Sequence, residues 1–307
     1  MRDLVLFALA GFAASLVDGA LGMGFGPTSS SILLGAGLTP AAVSASVNLA
    51  KVASGVVAGV SHWRFKNIDK GLVLSLAIPG VVGALIGVTV LSNVNAGIIK
   101  PLLAVLLSVI GLRILFRFSR LNSMGQNDSP ESDDPPTIRP AAYSERGTKV
   151  AALVGGITNG MIGAWGPVVT PYLLHRGVRP RYAIGSVNTA EVAVASASAV
   201  SLLLSMGKGG FNVAIVIAML IGGVIAAPVA AWLIRFVPAR PMGIAVAALL
   251  LLTNARELAA WAGLGATAWV WAIYAAVIAV ITAAIVTSRL RARTATRPQP
   301  LTVSTSP

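Results

Sequence analysis

The chain has 307 residues, 56% of them hydrophobic and 11% charged, with a formal net charge of +13 and no cysteine. Soluble domains of this size carry about 25% charged residues, so a water-soluble globule is excluded, and disulfide, thiolate and Cys-based metal chemistry go with it. Only His62 and His175 are available to a metal, too few for a multi-His centre, and the cations sit in short clusters between apolar runs, as in cytoplasmic loops rather than on a nucleic-acid surface.

Taken in order, apolar stretches cover 4–37, 39–61, 71–92, 96–118, 148–177, 180–206, 211–236, 241–257 and 264–288, read against the roughly 20 residues that span a bilayer. The first follows Met1-Arg2-Asp3 and could pass for a cleavable signal peptide. It contains a motif that recurs deep in the chain, so we read it as part of the folded protein. A continuous helix over 4–37 would measure about 50 Å against a hydrocarbon core of about 30 Å. It must break, and Gly19-Ala20-Leu21-Gly22-Met23-Gly24-Phe25-Gly26-Pro27 is where: glycine at this density weakens a helix and proline cannot donate to the preceding turn.

In the second stretch Ser44, Asn48, Lys51 and Gly55 follow an i, i+4, i+7, i+11 spacing that places them on one helix face. A basic loop with Arg64, Lys66 and Lys70 comes next, then a hairpin over 71–118 that turns near Val94. Residues 119–147 are rich in Ser, Pro, Asp and Asn and hold five of the ten acidic residues; this composition predicts a disordered loop joining two halves.

The halves repeat. Asp18-Gly19-Ala20-Leu21-Gly22 matches Asn159-Gly160-Met161-Ile162-Gly163, and Gly26-Pro27 matches Gly166-Pro167 after a one-residue deletion. Gly37-Leu38-Thr39-Pro40 matches Gly177-Val178-Arg179-Pro180, Ser46-Val47-Asn48 matches Ser186-Val187-Asn188, and Lys51 then corresponds to Glu191. The same order of identities over about 35 positions marks an internal duplication. With the basic clusters at 62–70, 176–181, 235–240 and 289–297 all cytoplasmic, the stretch 148–177 must leave and return on one side. Each half then has an odd number of passes, which inverts the two in the membrane; a single crossing would make them parallel.

Gly22-Met23-Gly24-Phe25-Gly26 superficially resembles a dinucleotide loop, but that fingerprint needs a preceding strand in a soluble βαβ unit. Close packing of helices on small residues accounts for the glycines and not for the proline. Proline is favoured in a first helical turn, so Pro27 and Pro167 are expected to start half-helices within the membrane. The N–H groups and dipole of such a start form an anion site without a charged side chain, and two of them facing each other are a recurrent transporter arrangement.

Asn48 and Asn188 hold equivalent places after the breaks, where they either bond between helices or meet the substrate. Lys51 is the sole charge of its stretch and Glu191 the sole charge of its own beyond Arg181 at the very start, and an intramembrane charge must be paired or wet. They pair across the repeat interface, or Lys51 attracts an anion while Glu191 takes up a coupling proton, two roles that are compatible; snorkelling of Lys51 to the membrane surface is the third reading. Asp18 either titrates or bonds the N–H groups of the break.

The paired pattern Gly19-Ala20-Leu21-Gly22-Met23-Gly24-Phe25-Gly26-Pro27, Gly37-Leu38-Thr39-Pro40-Ala41 and Ser46-Val47-Asn48, recurring from Gly155 through Asn188, resembles the sulfite exporter TauE/SafE family of membrane permeases. The resemblance implies transport of a sulfur-containing or other organic anion, driven by an ion gradient without ATP hydrolysis. The second copy departs from the pattern at Trp165, a bulky residue that could shape the site.

The expectation is therefore an all-α, polytopic transmembrane bundle of two homologous, inverted repeats with broken or re-entrant first helices. Its parts are residues 1–118, a cytoplasmic linker 119–147, a second repeat 148–288 and a basic tail 289–307. We read it as a secondary transporter of a small anion in the cell inner membrane, with no catalytic residue, no cofactor and no metal, H+ or Na+ as coupling ion, and lipid around it. The other reading is a non-transporting membrane partner of another complex. Gly22, Gly24, Gly26, Pro27, Thr28, Asn48, Lys51, Gly163, Trp165, Gly166, Pro167 and Asn188 are the expected substrate residues, and Glu191 and Asp18 the ion-coupling ones.

Overall fold

All regular structure among the described residues of the computed structural model is α-helical; these are residues 2–21, 24–120, 145–206, 213–233, 239–264, 275, 278–279 and 282. Gly22, most of the expected linker (121–144), nearly all of the last apolar stretch (264–288) and the tail 289–307 lie outside them. The helices are α1 (Arg2–Leu21), α2 (Phe25–Gly35), α3 (Pro40–Arg64), α4 (Lys70–Asn93), α5 (Ala96–Arg120), α6 (Glu145–Ile162), α7 (Gly166–His175), α8 (Pro180–Met206), α9 (Val213–Leu233) and α10 (Ala239–Trp261). The linker is thus shorter at each end than its composition implies, because Arg120 closes α5 and Glu145 opens α6. Among the described residues α3, α4, α5, α8 and α10 are long and apolar enough to cross a membrane.

The order long, short, long, long, long occurs twice, as α1–α5 and as α6–α10, and the turns agree residue for residue. Gly37 and Gly177 adopt φ of +91° and +83°, a left-handed conformation that glycine takes without a Cβ penalty. Leu38 N–H reaches Leu33 O at 3.2 Å and Val178 N–H reaches Leu173 O at 3.1 Å, the six-to-one closure of a Schellman cap. Pro40 and Pro180 then open α3 and α8, each at a first position where a missing N–H costs nothing.

Contacts between helices follow the same exchange. α4 packs on α6 as α1 packs on α9, while α3 meets α8 and α5 meets α10, so each of the last two pairs is a helix against its own counterpart. α3 and α8 run antiparallel: Gly55 lies by Val192, Gly59 by Thr189 and His62 by Asn188. α5 and α10 do too, with Gly111 against Leu250 and Phe118 against Gly243. α4 and α6 run parallel and in near backbone contact, since a Cβ on Gly83 would fall 2.1 Å from Leu153 O and one on Gly87 2.3 Å from Ile157 O. Without a hydrophobic drive between helices in lipid, such close approach on small residues supplies much of the packing attraction.

Gly87→Ala should therefore lower the melting temperature in detergent by the equivalent of about 1–3 kcal/mol, the usual cost of overpacking. Gly35→Ala, whose Cβ would meet nothing within 4 Å, should stay within about 0.5 kcal/mol of the parent. Equal melting temperatures for the two would contradict the α4–α6 contact.

Candidate functional site

The two helix breaks come together. α1 ends at Leu21 and α2 begins at Phe25 behind Gly24, whose φ is 149°. α6 ends at Ile162 and α7 begins at Gly166, after Gly163 at φ 68°. Both angles lie where a side chain is strained. Pro27 is the third residue of α2 and Pro167 the second of α7, inside the first turn, where their lack of an N–H is harmless. A Cβ on Gly26 would sit 1.8 Å from Gly163 O, so one break crosses the other with nothing between the backbones. α7 doubles back beside α6, because Val169 Cγ2 lies 2.6 Å from where a Cβ on Gly155 would be. A helix continuing in line would carry Val169 about 20 Å away at 1.5 Å per residue.

Lys51, only 7% exposed, reaches this crossing from α3. Its ammonium donates to Gly163 O at 2.6 Å, approaches Asn159 Oδ1 at 3.5 Å and pairs with the Glu191 carboxylate from α8. Its three protons thus each face an oxygen. One turn earlier, Asn48 Nδ2 donates to Ser44 O at 2.9 Å and to Asn159 O at 3.1 Å, while Asn159 Nδ2 donates to Asn48 Oδ1 at 2.7 Å and to Ser198 Oγ at 3.2 Å. Ser44 Oγ closes the cluster on Gly160 O at 2.7 Å. All four side chains are buried, and a fully bonded polar cluster of this kind is rigid.

Across the Lys51–Glu191 pair the arrangement is looser. A cavity of about 10 Å³ is lined by Asp18, Gly24, Phe25, Gly26, Lys51, Gly163, Gly166, Pro167, Asn188 and Glu191; this is room for about one water. Asp18 Oδ1 accepts from Phe25 N–H at 3.3 Å, the bond to the break expected of an Asp there. Asn188 Nδ2 lies 3.4 Å from His62 Nε2, so this amide stands between the cavity and the end of α3. The cavity holds one ammonium and two carboxyl groups, together with the N-termini of α2 and α7.

Of the residues singled out in the sequence, Asp18, Gly24, Gly26, Lys51, Gly163, Gly166, Pro167, Asn188 and Glu191 share this cavity. Asn48 does not line it and belongs to the neighbouring cluster. Pro27 and Thr28 are buried in the first turns of α2 outside the cavity lining, and Gly22 lies outside the described residues. Trp165 is fully buried but turned away: its indole N–H donates to Val187 O at 3.1 Å, and its ring fills the space over Gly80 and Gly155. It props the α7 start instead of lining the cavity. Sequence reasoning missed Asn159 and Ser198 as bonding partners; the repeat register signalled the first, as the counterpart of Asp18.

The model of the family described as Sulfite exporter TauE/SafE matches residues 7–257. The chain is also similar to the probable membrane transporter protein YtnM of Bacillus subtilis (strain 168), at 39% identity over 259 residues, which is 84% of this chain and 83% of that protein. No solved structure matches.

Proposed function

Because the chain belongs to the sulfite exporter TauE/SafE family, we propose that it is a secondary transporter of a small anion in the cell inner membrane, with sulfite, an organosulfonate or a related sulfur-containing anion as substrate. The observation that carries this reading is the meeting of two half-helix N-termini, at Gly24–Gly26 and Gly163–Pro167, beside a buried lysine. Aligned N–H groups and helix dipoles favour an anion there. The name of the Bacillus subtilis relative agrees with transport.

The helix directions support an inverted arrangement of the two repeats. A two-fold axis that relates antiparallel neighbours, as α3 and α8 are, runs perpendicular to both helices. For membrane-crossing helices that axis lies in the membrane plane, which is the inverted case. The doubling back of α7 supports a re-entrant α6–α7, and the same holds for α1–α2 by the repeat. Arg64, Lys66 and Lys70 then share the cytoplasmic side with Arg176 and Arg179. In this frame Asn188 and His62 lie on the cytoplasmic side of Lys51, and the Asn48 cluster on the outer side. The bonded Asn48 cluster supports a conformation closed on the outer side, and the cavity of about 10 Å³ is too tight for an oxyanion until it opens.

A thermal-shift screen of the purified protein tests the substrate class with sulfite, sulfate, thiosulfate, sulfoacetate, taurine and plain carboxylates. A selective shift for one sulfur oxyanion or sulfonate is expected, followed by flux of that anion in proteoliposomes. No shift and no flux with any of them, from protein shown to be folded, would favour the non-transporting partner instead.

A further inference from the structure

We propose that Asp18 and Glu191 together form a proton-binding site, and that this proton is the ion coupled to anion movement. The inference rests on the transporter reading and adds the identity of the coupling ion.

Charge gives the first argument. The cavity at the crossing brings the carboxyl groups of Asp18 and Glu191 together with the single ammonium of Lys51, and Lys51 is already bound to Glu191 and to Gly163 O. With both carboxyls ionised the cluster is negative by one charge, so an entering anion meets net repulsion at low dielectric. One bound proton makes the cluster neutral and releases the lysine and the helix N-termini to act on the anion. Lys51 from α3 and Asp18 from α1 are the charged groups that share the cavity with Glu191. Beyond these, His62 of α3 lies against Asn188 of the cavity lining; Lys70 of α4, Glu145, Arg146 and Lys149 of α6, and Tyr172 and His175 of α7 sit towards the ends of helices packed on α8, as do Arg240, Arg256 and Glu257 on α10, which packs on α1.

Symmetry gives the second argument independently. Inverted repeats alternate access by exchanging conformations, so each contact made by one half should reappear with the equivalent residues of the other. The outer cluster converts by the register already given: Asn48 with Asn159 becomes Asn188 with Asp18, and Lys51 with Asn159 becomes Glu191 with Asp18. The first exchange is chemically equivalent, an amide against an oxygen. The second sets a carboxylate where an ammonium stood, facing another carboxylate. Two such groups cannot share a contact ionised, and a single proton between them turns the repulsion into a hydrogen bond. The neighbours offer no substitute donor, since Ser198 and Ser44 correspond to Ala58 and Ile184. Sodium is disfavoured by the ammonium of Lys51 in the same cavity.

The lack of native cysteine makes the test direct. Ser198→Cys, in the full chain reconstituted in vesicles, reports on the outer cluster: it is fully buried here, and after the exchange it takes the half-buried position of Ala58. Labelling by a membrane-impermeant maleimide is measured at one neutral pH, so that thiol reactivity is constant, with and without Glu191→Gln or Asp18→Asn. The latter restores the residue that the second repeat carries, and keeps the experiment informative if Glu191→Gln does not fold. We expect several-fold faster labelling in either folded variant, and, in the parent, a rise on acidification relative to a Cys at Asn93, exposed at the outer end of α4, which corrects for the loss of thiolate at lower pH. Labelling unchanged in both folded variants, or accelerated by Na+ at constant pH, overturns the proton site. Because this readout needs no substrate, expected labelling with no flux of any anion would sink the substrate assignment and leave the proton site standing.

Discussion

Lys51→Met is expected to abolish anion flux and to destabilise the protein by about 3–5 kcal/mol, the usual consequence of removing one partner from a buried ion pair. Three acceptors lose their donor at once: the Glu191 carboxylate, Gly163 O and Asn159 Oδ1. Stability alone would not separate a structural lysine from a working one. The double variant Lys51→Met with Glu191→Met does, because a buried pair replaced by apolar groups of similar size is close to neutral. Its melting temperature should recover most of the loss, while flux in proteoliposomes stays at background. Recovery of both would reduce the pair to scaffolding and remove Lys51 from the site.

Gly26→Ala is expected to be the most damaging addition of a single methyl group. The new carbon would lie 1.8 Å from Gly163 O and 2.5 Å from Gly163 C, and neither can yield easily. The oxygen is held by Lys51, and the φ of 68° at Gly163 is already one that only glycine adopts freely. Overpacking commonly costs about 1–3 kcal/mol; with backbone on both sides, the top of that range or beyond is expected, together with loss of flux. Gel filtration and thermal melting of Gly26→Ala beside Gly35→Ala check it. Similar behaviour of the two would mean that the breaks do not cross.

The breaks were legible from the sequence because they are made of local chemistry. Glycine density and a proline at 19–27, set against the length a membrane allows, leave no continuous helix possible, and the same signature recurs at 160–167. Lys51 with Glu191 was legible through the repeat register, which assigned them equivalent positions before any contact was known. What stayed hidden depends on direction within the packed bundle. Trp165 lies among site residues in sequence, yet the Val187 carbonyl draws its indole N–H the other way. Pro27 and Thr28 follow Gly26 in the chain, but the turn of α2 carries both away from the cavity. Asn159 was read as a neutral version of Asp18, when its amide is the centre of the tightest polar cluster. Periodicity gives the face of a helix; it does not say which neighbour fills that face.

The pairing of Lys51 with Glu191 also bears on how such a chain could have arisen. A residue on a two-fold axis meets its own copy, so a dimer of two identical halves would have set lysine against lysine or glutamate against glutamate at this point. An ancestor of that kind could hold only an uncharged pair, or one in which a proton or an anion relieved the repulsion. If the two halves arose by duplication and fusion, the copies became free to diverge at that point. On that origin the charge pair would be younger than the fold that surrounds it. A homodimer built from residues of one repeat alone should assemble more readily once position 51 or its counterpart 191 has been made neutral.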